Sequence, residues 1–247
     1  MTTPPAATTP PPERPSAPGG ATPSEEGAPP EARTRAQASA HELRAALESA
    51  PVIAILRSTS AARFAEVTDT LLASGIRAAE FTLTTPGALD ALSEYAADAP
   101  PALALGAGTV TTPAEAQAAV EAGATYLITP TTSTEVIAEA ARLGVPVLPG
   151  ACTPTEILTA WRAGATMVKL FPAATGGPEY LRAVRAPLPY IPLVPTGGIG
   201  VTEAPAYLAA GATALGMGGP LVGDACEGGS LAALGERAAV LLDGIRR

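Results

Sequence analysis

The sequence predicts an α/β fold, a (β/α)8 TIM barrel with an N-terminal capping helix. Two observations carry the prediction: short aliphatic runs alternate with Ala-rich segments of helical period, and a glycine recurs where a helical segment gives way to the next run. Eight apolar runs are present: Val52–Leu56, Ala78–Thr82, Ala102–Gly106, Tyr126–Thr129, Val147–Leu148, Met167–Leu170, Leu193–Val194 and Thr213–Met217. Strands apolar on both faces belong in a parallel sheet covered by helices. A chain of 247 residues has room for eight such units, since a closed barrel commonly takes about 250. An open doubly wound sheet is the rival architecture. Against it, no G-x-G-x-x-G leads into a helix after the first run, and GAGT at Gly106–Thr109 is too short to count.

The elements follow in order. Between Thr2 and Ala36 there is no Val, Ile, Leu, Phe, Trp or Tyr, and ten of the 27 prolines fall there. Such a segment cannot bury enough surface to offset its ordering entropy, so residues 1–36 read as a disordered Pro/Ala/Thr-rich tail and residues 37–247 as the folded domain. ASAHELRAALESA opens that domain as a short helix, with Leu43, Ala46 and Leu47 at helical spacing and Ser39 placed to cap it. Thereafter Gly75, Gly123, Gly144, Gly164 and Gly211 each stand between a helical segment and the next run, the position where a left-handed turn ends a helix.

Composition removes several classes of function. With 23 acidic against 15 basic residues the net charge is -8, which argues against nucleic acid or an anionic membrane surface as the main partner. Two cysteines (Cys152, Cys226) and one histidine (His41) cannot supply a disulfide framework, a zinc site or a His-centred triad, so no metal or cofactor is expected. No run approaches the ~20 apolar residues of a spanning helix, and no basic segment precedes an apolar one at the N-terminus; the expectation is a cytoplasmic protein.

In a barrel, function sits at the C-terminal ends of strands and in the loops after them. That filter selects Arg57, Glu80, Thr109, Pro130, Lys169, Phe171 and Thr196-Gly197-Gly198. Lys169 is the only lysine, against 14 arginines, and lies within the apolar run of TMVKLFPA. Burying an ammonium alone is costly, so such a lysine is either paired or neutral. A neutral amine can form an imine, which a guanidinium cannot; a structural ion pair is the competing explanation. Imine chemistry needs a proton shuttle, and Glu80, flanked by Ala79 and Phe81, is the carboxylate out of place, unless it simply pairs with an arginine such as Arg57. For anions, Arg57 ends the first run. PTGGIG (Pro195–Gly200) and GMGG (Gly216–Gly219) offer Thr196 and backbone N–H groups at the two loops where barrels usually cradle phosphate, which adds Gly218 and Gly219 to the candidates.

These residues stand in segments that, taken in order, are PVIAILR, GIRAAEFTLTT, GAGTV, YLITP, VPVLPGACTPTE, MVKLFPA, PTGGI and GMGGPLV. The body from about Ala36 onward resembles the class I 2-keto-3-deoxy-6-phosphogluconate (KDPG) aldolases, which also act as 4-hydroxy-2-oxoglutarate (KHG) aldolases. The resemblance implies an imine between Lys169 and the 2-keto acid, with Glu80 as general acid and base through a bound water. It further implies that Thr109 holds the pyruvate carboxylate, that Pro130 and Phe171 shape the pyruvyl pocket, that Thr196, Gly197 and Gly198 line the distal side, and that Arg57 contributes to anion binding. A homotrimer needing no metal is also implied. Two departures stand out: Thr84 where the family often has arginine, and Pro220 where a phosphate-binding serine is frequent. Both weaken anion recognition, which leaves open the galactonate epimer or an unphosphorylated sugar acid as substrate. A barrel that only binds a sugar phosphate is disfavoured by the retention of both Lys169 and Glu80.

Overall fold

The computed structural model describes residues 30–246. Helix α1 (Pro30–Ser49) leads into β1 (Val52–Leu56), α2 (Phe64–Ala73), β2 (Ala78–Thr82), α3 (Ala88–Ala97), β3 (Ala104–Gly108), α4 (Pro113–Glu121), β4 (Tyr126–Ile128) and α5 (Thr134–Leu143). The second half comprises β5 (Val147–Leu148), β6 (Gly150–Ala151), α6 (Pro154–Arg162), β7 (Val168–Leu170), α7 (Gly177–Arg185), β8 (Leu193–Pro195), α8 (Ala204–Ala209), β9 (Leu215–Met217), α9 (Gly219–Val222) and α10 (Leu231–Arg246). It is an α/β fold of parallel strands, each followed by a helix except β5, which leads directly into β6.

Every expected run carries a strand, with two corrections. The third strand lies at Ala104–Gly108, two residues later than expected, so GAGT ends a strand rather than following one. The fifth run, Val147–Leu148, is followed beyond Pro149 by a further short strand at Gly150–Ala151 that no run marks, the two kept apart because Pro149 has no N–H to give the ladder. The five repeat glycines all adopt positive φ, from 69° at Gly144 to 108° at Gly164. Two helices begin with a Thr-Pro-x-Glu capping box, Thr112 with Glu115 and Thr153 with Glu156, and satisfy their first N–H groups reciprocally.

Of the expected tail, residues 1–29 lie outside the described residues. Helix α1 begins at Pro30, and Ser39 lies buried within it rather than capping it. The reason is local: PEARTRAQ is rich in good helix formers, with proline at the position where a missing N–H costs nothing.

Six strands pair in the order β5-β4-β3-β2-β1-β9 and three in the order β6-β7-β8, all parallel. Backbone bonds tie the two sets together. Thr166 N–H donates to the Val147 carbonyl (3.0 Å) and Thr213 N–H to the Leu193 carbonyl (2.8 Å), and Thr196 forms a parallel bridge with Gly216. Across the seam after β4, hydroxyls replace ladder bonds: Gly150 N–H donates to Thr129 Oγ1 and Thr132 Oγ1 donates to the Gly150 carbonyl.

Alternation along the strands sorts the core into two layers. Val52, Ala79, Phe81, Leu105, Leu127, Val168 and Leu215 pack with the helices. Ile53, Ala78, Ala104, Tyr126, Leu148, Met167, Val194 and Ala214, one from each of the eight predicted strand regions, pack on one another and on Leu43, Ala46 and Leu47 of α1. This second cluster is the floor on which the chemistry stands.

Candidate active site

The residue two positions beyond the floor residue faces the same side. On β7 that step leads from Met167 to Lys169, and on β2 from Ala78 to Glu80. Lys169, paired with Gly150 and Val194, is 8% exposed; Glu80, paired with Ile55 and Gly106, is 1% exposed. The chain therefore places its only lysine and a buried carboxylate on one inner face.

Burial drives both groups toward neutrality. Desolvation lowers the pKa of Lys169, and Arg57 lowers it further, while Glu80 opposes the shift. Desolvation raises the pKa of Glu80 against the pull of Lys169 and Arg57. Each charge acts on the other, yet the two form no ion pair, the three ion pairs among the described residues all being helix-surface i,i+3 contacts. Glu80 Oε2 is buried without a hydrogen bond inside the protein. A buried acid left short of a partner is a strain that functional sites retain.

The glycines of GAGT are required by what lies over them. A Cβ on Gly106 would overlap the Tyr126 ring, and one on Gly108 would overlap Glu80 Oε1. Strand β3 is thus a trough holding an aromatic floor and, one step further, the carboxylate. Tyr126 donates its hydroxyl to the Ala79 carbonyl (2.8 Å), next to Glu80; burial raises its pKa well above the ordinary tyrosine value, and Glu80 adds to the shift.

The remaining predicted residues gather round these two. Arg57 donates to Thr109 Oγ1 (3.2 Å), immediately after the glycine under Glu80. The amine of Lys169 stands 5.0 Å from the Phe171 ring centroid. Phe171, 38% exposed, continues the inner face beyond Lys169, and its ring limits the space at Gly197 to about a methyl's closest approach, with a Cβ there 3.0 Å away. The Pro130 carbonyl presses on Gly150, the strand partner of Lys169. Thr196 is buried in its bridge with Gly216, and Gly198 lies against Ala174. Gly218 lies near the Ile55 carbonyl of β1, and a Cβ on Gly219 would meet open space. Pro220 falls within the first turn of α9.

Three side chains the motifs did not single out belong here: Tyr126, Thr82 and Thr85. Thr82 faces the same side as Glu80, two residues on, and both threonines are fully buried. That i,i+2 spacing from a strand glutamate was the available signal. An open cleft of about 610 Å³ between α2 and α3, lined by Asp69, Asp90, Glu94 and Tyr95 among others, lies away from this chemistry. Among the described residues no group of three His, Cys, Asp or Glu side chains is placed to hold a metal, and no helix is long and apolar enough to cross a membrane.

Known proteins are similar to this chain in sequence and fold. The chain is 40% identical over 160 residues to the 2-dehydro-3-deoxy-phosphogluconate aldolase of Pseudomonas aeruginosa, covering 64% of this chain and 71% of that one. It is 34% identical over 172 residues to a probable 2-dehydro-3-deoxy-6-phosphogalactonate aldolase of Rhizobium meliloti, covering 69% and 81%. Among solved structures, the 4-hydroxy-2-oxoglutarate/2-dehydro-3-deoxyphosphogluconate aldolase from TTHB1 superposes with a TM-score of 0.73 at 35% identity, over 82% of this chain and 98% of that one. The KDPG aldolase of Legionella pneumophila, solved with pyruvate captured as a covalent carbinolamine intermediate, superposes at 0.72 and 29% identity, over 81% and 97%. Residues 43–234 match the family model described as KDPG and KHG aldolase. The family match, the sequence relatives and the strand arrangement thus lead to one family, and the chain belongs to the KDPG and KHG aldolases.

Proposed function

We propose that this protein is a class I pyruvate aldolase that cleaves 2-keto-3-deoxy-6-phosphogluconate to pyruvate and glyceraldehyde 3-phosphate, and 4-hydroxy-2-oxoglutarate to pyruvate and glyoxylate. The observation that carries the reading is a buried amine of lowered basicity on the same inner face as a buried carboxyl, with no ion pair between them. Lys169 Nζ attacks the C2 carbonyl carbon, and Glu80 donates the proton that lets the carbinolamine lose water. With the iminium in place, Glu80 takes the proton of the C4 hydroxyl. The C3–C4 bond breaks, its electron pair moves into the iminium to give an enamine, and the aldehyde leaves. Protonation at C3 and hydrolysis then release pyruvate and free the amine.

Thr109 and Arg57, joined by their hydrogen bond, suit the keto-acid carboxylate and the anionic part of the substrate. Pro130 and Phe171 wall the pyruvyl end. Thr196, Gly197, Gly198, Gly218 and Gly219 line the distal end. The backbone bonds that join β5 to the β7 run and β8 to β9 support a closed (β/α)8 barrel, and the packing of Leu43, Ala46 and Leu47 on its floor supports α1 as the cap at the opposite end from the site. A cytoplasmic homotrimer completes the reading; light scattering tests the trimer.

The galactonate epimer is a second reading, favoured by Thr84 and Pro220 and by relatives such as the R. meliloti and Escherichia coli phosphogalactonate aldolases. Comparing kcat/KM on the gluconate and galactonate epimers, each with and without the 6-phosphate, separates the two. The chemistry itself is tested by borohydride reduction in the presence of pyruvate. The expected product is one adduct on the peptide carrying Lys169; no adduct, or one elsewhere, ends the proposal.

A further inference from the structure

Arg57 is exposed on a loop edge, yet its guanidinium is held at Thr109. A long flexible side chain in such a place is usually free to wander, so something must fix the backbone from which it springs. Both of its chain neighbours are held by the same pair of hydroxyls. Ser58 N–H donates to Thr85 Oγ1 (3.2 Å), and Thr82 Oγ1 donates to the Leu56 carbonyl (2.8 Å). The two hydroxyls lie 3.0 Å apart, and both side chains are fully buried.

The direction of this chain is forced. A hydroxyl has one proton to donate, and Thr82 spends it on a carbonyl, which can only accept. Thr85 must therefore donate to Thr82 while accepting from the Ser58 N–H. The order runs Ser58 N–H, Thr85 hydroxyl, Thr82 hydroxyl, Leu56 carbonyl, every donor and acceptor used once, in a buried setting where a broken link leaves an unpaired polar group. Both threonines belong to the segment that also carries Glu80.

We infer that Thr82 and Thr85 are positioning residues for Arg57: a one-directional hydroxyl relay from the end of β2 clamps both backbone neighbours of the arginine and thereby sets anion recognition without touching the substrate. The inference rests on the reading of Arg57 as an anion-binding residue. It also separates the roles within EFTLTT: Glu80 serves the proton steps, and Thr82 and Thr85 serve the other end of the substrate.

The test is a double-mutant cycle on the full-length protein, with kcat and KM for 2-keto-3-deoxy-6-phosphogluconate as readouts. Thr82→Val removes a donor and an acceptor at nearly constant shape. It is expected to raise KM about tenfold with kcat within about threefold, as loss of a buried hydrogen-bond link implies. Thr82→Ser, which keeps the hydroxyl, should restore KM to within about twofold. In an Arg57→Gln background the same Thr82→Val change should leave KM unaltered, because nothing remains to be positioned. An equal KM increase in both backgrounds, or none in either, overturns the inference, as does a failure of Thr82→Ser to rescue. If Thr82→Val does not fold by circular dichroism, Thr85→Val, which cuts the same relay one link earlier, is read by the same criteria. The underlying reading fails separately: Arg57→Gln alone would then leave KM unchanged.

Discussion

Glu80 lies in a six-stranded sheet in which β2 pairs with β1 over four residues and with β3 over five, whereas Lys169 lies in a three-stranded sheet whose ladders hold two and three pairs. The two halves fix their side chains by different means. On the long side, position comes from ladder register, in-strand glycines and buried hydroxyls. On the short side it comes from loop residues that press on the strand, with Phe171 beside the amine and Gly197 beneath the ring. In the proposed mechanism the acid therefore sits on the element with the longer ladders and the nucleophile on the one with the shorter. The pairing of the two depends on the seams at Pro149 and at the Thr196–Gly216 bridge.

The largest effect should come from the short side. Lys169→Arg keeps a cation in place but offers no neutral amine, so turnover should fall on the order of 10⁴-fold or more, and the borohydride adduct with pyruvate should vanish while circular dichroism is unchanged. Appreciable activity in this variant would remove the covalent step from the mechanism. On the long side, Glu80→Gln should lower kcat roughly 10²- to 10⁴-fold, the range for losing a positioned acid–base group. It also has a pH signature. Glu80 is the influence that raises the pKa of Lys169, so removing its charge leaves burial and Arg57 to lower it further. The pH at which the amine becomes reactive, followed as the rate of inactivation by an amine-directed reagent, should move to lower pH; a move to higher pH contradicts the coupling between the sheets.

Next in size are the glycines, which separate the two kinds of support. Gly106→Ala forces a methyl into the Tyr126 ring at the floor and should cost about 1–3 kcal/mol in chemical denaturation, as overpacking does. Gly197→Ala meets the Phe171 ring at 3.0 Å and holds alanine at φ 94°, so it should cost about 1 kcal/mol. Its larger effect should be on KM. If Gly106→Ala proved the more damaging to KM and Gly197→Ala to stability, the contrast between a rigid half and a loop-supported half would be wrong.

The sequence carries the fold further than the site. Alternation of runs and helix-ending glycines mark a strand at each of the eight runs, because a βα unit repeats its turn chemistry each time, but they leave the third two residues early and miss β6 at Gly150–Ala151. What escaped is local: Pro149 divides the fifth strand, and α1 extends upstream through residues that look like tail by hydrophobicity yet are good helix formers. For the site, Lys169 and Glu80 are legible because a charge inside an apolar run contradicts its surroundings. Tyr126, Thr82 and Thr85 are not, because a tyrosine or threonine in a strand fits its surroundings perfectly well by propensity. Their importance comes from neighbours brought in by pairing: Gly106 under the tyrosine, and the carbonyl and N–H flanking Arg57 beside the threonines.

The smallest effect is the most discriminating about how far charge reaches between the sheets. Arg57 stands on the long side and lowers the pKa of Lys169 on the short side, behind burial and behind the opposing pull of Glu80. Because the arginine is exposed, solvent and salt screen it, and its influence should be modest. Arg57→Gln should therefore move the amine's reactivity to slightly higher pH, opposite in sign to Glu80→Gln, and the displacement should shrink as salt is raised from about 0.01 M to 1 M. The Glu80→Gln displacement, arising between buried groups, should survive the same salt. Equal salt sensitivity in the two variants would mean that solvent reaches the space between Glu80 and Lys169, and the pair could not then owe its shifted proton affinities to burial.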